Sequence, residues 1–399
     1  IKLSLRRQLI MSEKGWKFHG NERKYLDEVL NNGFGASESG SMNERLEHKF
    51  ASIHNKKFAI TANTGTSTLH MGLHSFGIQS GDEVIVPSLT VAMPGFAIWQ
   101  SGGTPVFCDV FPDTFLMDTN DIEQKITEKT KAILPVHMYG NMCNMEKIMS
   151  IARKNNLYVL EDCAQCFLAH DDKNRISGTV GHVGSWSFEN SKHVTSGDGG
   201  IVLSDDEELA TDMRQFGGVG FKNINASQGK IRISRDKFQD PNWERHSMLA
   251  YNYRLPELCA AVALAQCEHI DKFVNLRIQM AQEYLNVFKT SSLFQPQKVM
   301  PGYKNTYWTF TAHFLGKEYG IEWQEFRKKY IEFGGDGIYA ATKLIQDEPA
   351  FKQINLGYGE TPIASQLQQE LMLFTTNQKD EHERNVQAQS LEKTLHFFK

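Results

Sequence analysis

The sequence predicts an α/β protein with a large domain, built on a mainly parallel, seven-stranded type of sheet flanked by helices, and a smaller C-terminal α+β domain. Short apolar runs alternate with helical stretches from Lys57 to Asp205, and this rhythm changes beyond about Ser291. Strands and helices that alternate at this spacing are typical of parallel sheets covered on both faces. We therefore expect an N-terminal segment and large domain over residues 1–290 and the small domain over residues 291–399.

The elements can be predicted in chain order. Strands are expected at 58–61, 83–87, 105–109, 132–136, 158–162 and 201–203, and helices at 66–76, 91–100 and 145–154. One long helix is predicted from Tyr253 to Val287, with Pro256 in its first turn, because its apolar positions fall on one face. In the small domain, residues 307–314 alternate like a strand, and residues 323–333 and 381–398 favour helices.

Composition excludes several classes of protein. The 399 residues carry a net charge of −4 with a pI near 6.4, which gives no sign of affinity for nucleic acid. No run of eighteen apolar residues is present to span a membrane, and the stretch Ile1–Arg7 has too few apolar residues for a signal peptide. Six scattered cysteines do not form a disulfide framework. We therefore expect a cytoplasmic protein.

The stretch from Ser187 to Gly200 is the most informative part of the chain. It predicts a short strand, a loop that holds Lys192, and a glycine-rich turn into a second strand. A lysine amine held toward a cleft can form a Schiff base with a carbonyl compound. Upstream, a predicted strand ends at Asp162, and ligands of such sheets bind beyond the carboxyl ends of the strands. A lysine that bonds a carbonyl and an aspartate that pairs with a pyridinium nitrogen are the groups that pyridoxal phosphate chemistry requires.

The pattern S-F-x-x-x-K-x-x-T-x-G-x-G-G around Lys192, with Asp162-Cys-Ala-Gln165 upstream, resembles the DegT/DnrJ/EryC1/StrS family of sugar aminotransferases. This family is a branch of the fold-type I pyridoxal-phosphate enzymes, and the resemblance extends from about Phe34 to Leu371. It implies transamination of a keto group on a sugar-like substrate, with glutamate or glutamine as amino donor.

The resemblance also implies roles for individual residues. Lys192 would carry the cofactor, Asp162 would pair with the ring nitrogen, and Gln165 would lie near the 3-oxygen of the ring. The implied phosphate ligands are Gly65, Thr66, Ser67 and Ser187. Asn252 would reach the cofactor phosphate of the neighbouring subunit, which requires a homodimer with shared active sites.

Several positions leave alternatives open. His193 adjoins Lys192, and some relatives with histidine in the lysine position dehydrate their substrate; we count His193 as a candidate catalytic residue, either beside the substrate or packed in the loop. His137 either lines the site or satisfies a buried polar network. Val91 occupies a position where the family often has an aromatic residue that stacks on the ring, and Ala250 replaces a usual glycine. For Cys163 and Cys166, a redox or metal role is disfavoured because they follow a buried strand.

The predicted substrate is a nucleotide-linked 4-keto- or 3-keto-6-deoxyhexose. A free cyclitol ketone or aminodehydroquinate-type ring is the alternative, because Ser187-Phe188-x-Asn190 and Gly337–Tyr339 resemble those branches, and a sugar dehydratase is a further one. A basic segment between Gly217 and Leu249 either binds a phosphorylated substrate or is a solvated loop. Its basic residues are Lys222, Lys230, Arg232, Arg235, Lys237 and Arg245.

Overall fold

The computed structural model describes residues 15–229 and 234–399. The stretch Ile1–Arg7, and Lys230 and Arg232 of the basic segment, lie outside these ranges. The α-helices α1 to α14 span Glu22–Asn31, Met42–His54, Gly65–Ser75, Met93–Gln100, Thr119–Lys125, Met145–Asn155, Glu207–Gly217, Arg235–Gln239, Glu257–Cys267, Ile270–Phe288, Trp323–Glu332, Pro349–Lys352, Pro362–Glu370 and Glu381–Phe397. The strands β1 to β11 span Phe58–Ala62, Glu83–Pro87, Thr104–Cys108, Thr130–Ile133, Tyr158–Asp162, Val183–Ser187, Gly200–Ser204, Phe294–Pro296, Phe310–Phe314, Ile338–Ala340 and Leu371–Phe374.

The predicted α/β class is confirmed by a seven-stranded sheet of order β1-β7-β6-β5-β4-β2-β3. Neighbouring strands pair in parallel from β6 to β3, whereas β7 is antiparallel to both β1 and β6. The apolar strand β2 is buried along its whole length, as expected where helices cover both faces of a sheet. Alternate residues of β7 divide between two apolar cores, with Val202 in one and Ile201 and Leu203 in the other.

Because β7 runs against its neighbours, its first residue lies at the edge where they end. Gly200 pairs with Ala62 at the end of β1 and with Ser187 at the end of β6. Asp162, the last residue of β5, pairs with Ser185 of β6. The carboxyl ends of β1, β5 and β6 and the β6–β7 loop therefore meet at one edge of the sheet.

The long helix predicted from Tyr253 to Val287 is wrong as a single element. The structure has two helices, α9 and α10, with His269 in a non-helical conformation between them and Pro256 before the first turn of α9. At the break, Glu268 accepts hydrogen bonds from Tyr25 and Asn21, at 2.6 and 2.7 Å. The apolar spacing continues through this break, so periodicity alone could not reveal it.

The predicted strand at 307–314 is also shorter in the structure, where β9 begins only at Phe310. Tyr307 has a left-handed φ of 48°, which excludes an extended strand there. Antiparallel pairing joins β10, β11, β9 and β8 into a second sheet.

The apolar cores cross the boundary predicted at residue 290. Tyr284 and Phe288 of α10 pack in the core of the C-terminal sheet, whereas Leu344 and Phe351 of the C-terminal part pack in a core of the large sheet. The division into two domains at 290 therefore stays a prediction. Within the described ranges, every helix is too short or too polar to cross a bilayer.

Candidate active site

Lys192 lies in the loop that connects β6 to β7, at the carboxyl edge of the sheet. The loop closes through a hydrogen bond from the amide of Phe188 to the carbonyl of Gly199, 2.8 Å long. Gly197 and Gly199 have φ values of 88° and 151°, which only glycine adopts without strain, and this explains the glycine-rich turn. The sequence therefore folds here into a tight loop that presents a single lysine.

The side chain of Lys192 is largely shielded from solvent. Its Nζ lies 4.7 Å from the ring centroid of Trp308. Burial lowers the pKa of the Lys192 amine, while the charges of Glu189 and Asp162 act in the opposite direction. The amine thus has a larger neutral, nucleophilic fraction than an exposed lysine.

Asp162 faces the same edge from the end of β5 and is only 3% exposed. Its Oδ1 accepts a hydrogen bond of 2.9 Å from the amide of Ala164. Burial raises the pKa of Asp162, and the Ala164 amide and the Lys192 charge offset this only partly. A cationic partner would therefore stabilise the ionised form of Asp162.

His137 belongs to a buried network behind Asp162. Its Nδ1 accepts from the amide of Cys143 at 3.1 Å, so Nε2 carries the proton and donates to Glu161 at 2.8 Å. Burial opposes ionisation of Glu161, but the His137 bond and backbone amides of Gly178 and Gly181 outweigh it and lower its pKa. Of the two alternatives for His137, this placement favours the buried network.

A possible metal site in this network can be tested by its contacts. His137, Glu161 and Cys163 offer ligand atoms within 4.8 Å of one another, and all three are buried. However, Nε2 and Nδ1 of His137 are both used, and Glu161 accepts from three backbone amides besides the histidine. All six cysteines of the chain are free, and burial raises the pKa of Cys163 well above its usual range. The His137 ring and the Glu161 carboxylate therefore have their hydrogen-bond partners without a metal ion.

Gln165 is oriented by a backbone group. Its Oε1 accepts a 2.9 Å hydrogen bond from the amide of Tyr139, a buried residue with a left-handed φ of 66°. This fixes the carboxamide so that its NH₂ is left to donate to a ligand.

The first turn of α3 faces Ser187. A Cβ on Gly65 would lie 2.7 Å from the Cβ of Ser187, so only glycine allows this approach. Thr64 caps the helix by accepting from the amide of Ser67 at 3.0 Å, and the Ser67 hydroxyl donates to Asn63 at 2.7 Å. Ser67 is thus held in the cap, and its direct contact with a phosphate stays a prediction. The amides of Gly65 and Thr66 remain at the positive end of the helix dipole.

The other predicted site residues lie in different surroundings. Val91 is half-buried in the turn between β2 and α4. Asn252 is exposed, and its Oδ1 accepts from Nε of Arg254 at 2.9 Å. His193 is fully buried against Phe167, with its Nε2 bonded to the carbonyl of Thr306. These contacts favour a packed loop residue over a catalytic role for His193.

Two residues near Lys192 were missed in the sequence analysis. Trp308 donates from Nε1 to the carbonyl of Ser191 at 3.0 Å. Arg277 donates to that same carbonyl at 2.9 Å from α10, where it lies within a stripe of apolar buried residues. A charged residue on the apolar face of a helix was the available signal for Arg277.

The basic segment is only partly free for a ligand. Lys222 pairs with Glu244 at 2.9 Å, and Arg245 lies against the rings of Phe238 and Trp243. Arg235 and Lys237 are exposed.

The residues at this edge fit pyridoxal phosphate. The amine of Lys192 and the carboxylate of Asp162 suit its aldehyde and ring nitrogen, and helix amides beside Ser187 suit its phosphate. The Gly65–Ser187 approach is a small cradle that a Cβ would fill.

Comparisons with known proteins identify the family of the chain. The model of the DegT/DnrJ/EryC1/StrS aminotransferase family matches residues 17–384. GDP-perosamine synthase of Escherichia coli O157:H7 is 35% identical over 354 residues, which is 87% of this chain and 88% of that protein. An L-glutamine:2-deoxy-scyllo-inosose aminotransferase of Streptomyces kanamyceticus is 31% identical over 68% of this chain and 62% of its own length.

Among solved structures, the aminotransferase from Psychrobacter cryohalolentis superposes with a TM-score of 0.85 at 25% identity, covering 94% of this chain and 97% of that one. The chain therefore belongs to the DegT/DnrJ/EryC1/StrS aminotransferase family, and it is a pyridoxal-phosphate-dependent aminotransferase.

Proposed function

We propose that this enzyme passes an amino group from glutamate or glutamine to the keto carbon of a nucleotide-linked keto-deoxyhexose, with a GDP-linked sugar as the first substrate class. The observation that carries the proposal is the placement of Lys192 in the β6–β7 loop, beside the end of the strand that carries Asp162. The substrate class is supported by the similarity to GDP-perosamine synthase over most of both chains.

The roles of the residues follow from their contacts. When bound, pyridoxal phosphate supplies an electron-accepting ring that stabilises negative charge on the substrate carbon. Lys192 attaches the cofactor and, once released, holds and moves the proton at the reacting carbon, a role for which its lowered pKa is suited. The ring of Trp308 shields the amine from water on one side.

The remaining residues bind and orient the cofactor. Oδ1 of Asp162 is committed to the Ala164 amide, so we assign Oδ2 to the ring nitrogen. The NH₂ of Gln165 is assigned to the 3-oxygen, because its carbonyl is held by Tyr139. The amides of Gly65 and Thr66 and the hydroxyl of Ser187 are assigned to the phosphate.

We infer a homodimer with shared sites. Asn252 is exposed and lies close to an apolar surface in which Leu249 is 96% and Tyr251 48% exposed. Large exposed apolar side chains beside a predicted site residue are typical of an interface. Asn252 then reaches the cofactor phosphate of the second subunit, and the exposed Arg235 and Lys237 of the basic segment are available to a substrate diphosphate. A cytoplasmic location is part of this proposal.

A substrate panel tests the function. The enzyme, loaded with cofactor and supplied with glutamate or glutamine, is offered GDP-, dTDP- and UDP-linked 4-keto-6-deoxyhexoses and a cyclitol ketone. We expect the GDP sugar to gain an amine, with a kcat/KM at least about tenfold above the other substrates. Products are identified by mass spectrometry. Preferential amination of the cyclitol ketone would support the alternative substrate, and loss of water without gain of nitrogen would indicate a dehydratase.

Covalent attachment tests Lys192. After incubation with pyridoxal phosphate and reduction with borohydride, the wild-type peptide that contains Lys192 should gain the mass of the reduced cofactor, and Lys192→Ala should not. The exposed Lys173 supplies a matched control, Lys173→Ala, which should label normally. Peptide mapping is needed because Lys17 lies beside the loop and burial lowers its pKa to about 7. A wild-type adduct on any other lysine contradicts the assignment.

Asp162→Asn should still bind pyridoxal phosphate but convert glutamate to 2-oxoglutarate at least about 100-fold more slowly in a single turnover, because an amide does not stabilise a cationic ring nitrogen. The conversion is followed by mass spectrometry. Asp205→Asn, which changes a carboxylate paired with Lys56 away from the site, is the control. A rate near that of wild type in Asp162→Asn would exclude this role.

A mixing experiment tests Asn252. Lys192→Ala and Asn252→Ala chains are mixed at a cofactor concentration that leaves Asn252→Ala mostly unloaded, and subunit exchange is verified with two different tags. If sites are shared, each hybrid dimer contains one intact site, so about a quarter of the wild-type activity should return. Hybrids that form without regaining activity, or an active monomer in sedimentation, would show that Asn252 does not act across subunits.

A further inference from the structure

Arg277 joins three segments of the chain around the lysine loop. From α10, its Nη2 donates to the carbonyl of Ser191 at 2.9 Å. Its Nη1 donates to the carbonyl of Trp308, just before β9, and to the hydroxyl of Thr376, just after β11, at 3.0 Å. One guanidinium therefore fixes the backbone beside Lys192 to the C-terminal sheet.

The charge of Arg277 is not neutralised by these contacts. Among the described residues, its hydrogen-bond acceptors are two carbonyls and a hydroxyl, none of them a carboxylate. Arg277 is 4% exposed, and burial lowers its pKa to about 10, so it stays protonated at neutral pH. A full positive charge is consequently buried against the backbone of Ser191, the residue before Lys192.

The other ionisable groups around Lys192 act in both directions. Glu189, in the same loop, and Asp162, on β5, favour the charged amine. From the N-terminal segment, Lys17 donates to the carbonyl of Lys192 at 3.3 Å, and burial and Arg277 lower its pKa to about 7. His193 is neutral, because burial lowers its pKa well below the usual range. Arg277 is thus the cation of this group that keeps its charge throughout the neutral range.

We propose that Arg277 is the positioning residue for Lys192: its guanidinium holds the carbonyl of Ser191, and its buried charge adds to the desolvation that favours the neutral, nucleophilic form of the Lys192 amine. An unperturbed lysine is almost entirely protonated at neutral pH, whereas only the neutral amine can attack a carbonyl or accept a proton. This proposal rests on the role of Lys192 in the proposed function and goes beyond it, since Arg277 acts on Lys192 through the Ser191 carbonyl and through its charge.

The test measures the protonation of Lys192 directly. The cofactor-free chain is labelled with acetic anhydride at a series of pH values, and the midpoint for Lys192 is read from its peptide, with exposed Lys131 as internal reference. The neutral variants Arg277→Met and Arg277→Gln should move the Lys192 midpoint upward by about one pH unit, which is about a tenfold lower labelling rate at pH 7. Two neutral variants are used so that failure of one to fold does not end the test.

Two controls separate charge from structure. Thr376→Val removes one anchor of Arg277 but keeps its charge, so it should lower the melting temperature while leaving the Lys192 midpoint unchanged. Arg327→Met makes the same change on α11, where Arg327 bonds to the carbonyl of Ile338, and it should change nothing at Lys192.

The proposal is overturned if a folded neutral variant keeps the wild-type midpoint, or if Thr376→Val shifts the midpoint as far as Arg277→Met does.

A second readout is the amount of cofactor fixed on Lys192 by borohydride at pH 7, which should fall several-fold in the neutral variants. Because the acetylation needs neither cofactor nor sugar, its failure would leave the substrate proposal intact, and an empty substrate panel would leave this proposal intact.

Discussion

The pairing of β6 between β5 and the antiparallel β7 is the constraint on which the site depends. In a purely parallel sheet, each crossover carries the chain back to the edge where the strands begin, away from the carboxyl ends. Because β7 runs backward, the chain leaves β6 at Ser187 and re-enters the sheet at Gly200 on the same edge. The loop of residues 188–199 therefore stays at this edge and keeps Lys192 near the end of β5, where Asp162 lies.

Buried hydrogen bonds make this edge rigid. Glu161 accepts from His137 and from the amides of Gly178, Val180 and Gly181, which ties the end of β5 to the chain that leads into β6. A buried carboxylate left without partners would cost several kcal/mol, so this arrangement is stable only as a complete set. Glu161 and Asp162 are neighbours on one strand but differ in their contacts. The carboxylate of Glu161 is hydrogen-bonded within the protein, whereas that of Asp162 keeps one oxygen for a ligand.

The sequence predicted the parts of the site that local patterns determine. Asp162 at a strand end and Lys192 before a glycine-rich turn follow from short motifs, and the structure places both at the carboxyl edge of the sheet. The contacts of Ser67 could not be predicted, because capping by Thr64 and a ligand contact require the same sequence. The break between α9 and α10 was missed because the apolar spacing continues through it, and the residues that contact Glu268 at the break are over two hundred residues away in the chain.

The difference between local patterns and contacts distant in sequence also explains why Arg277 and Trp308 were missed. Their partners at Ser191 are 86 and 117 residues away, so no window of sequence contains both ends of the contact. The only signal in the sequence was an arginine, a charged residue, on the apolar face of a helix.

The electrostatics of the site suit a ligand that carries both signs of charge. Burial raises the pKa of Asp162 and lowers that of Lys192, so the protein disfavours charge on both groups. In the proposed site, a cationic ring nitrogen would favour the ionised form of Asp162, and the backbone amides at the start of α3 would bind the anionic phosphate without a lysine. With the phosphate assigned to amides and hydroxyls, the Lys192 amine would remain free to react with the carbonyl. In this arrangement, the groups that anchor the cofactor are different from the lysine that reacts with it. This separation is needed because the bond between the lysine and the cofactor must break and form again during the reaction.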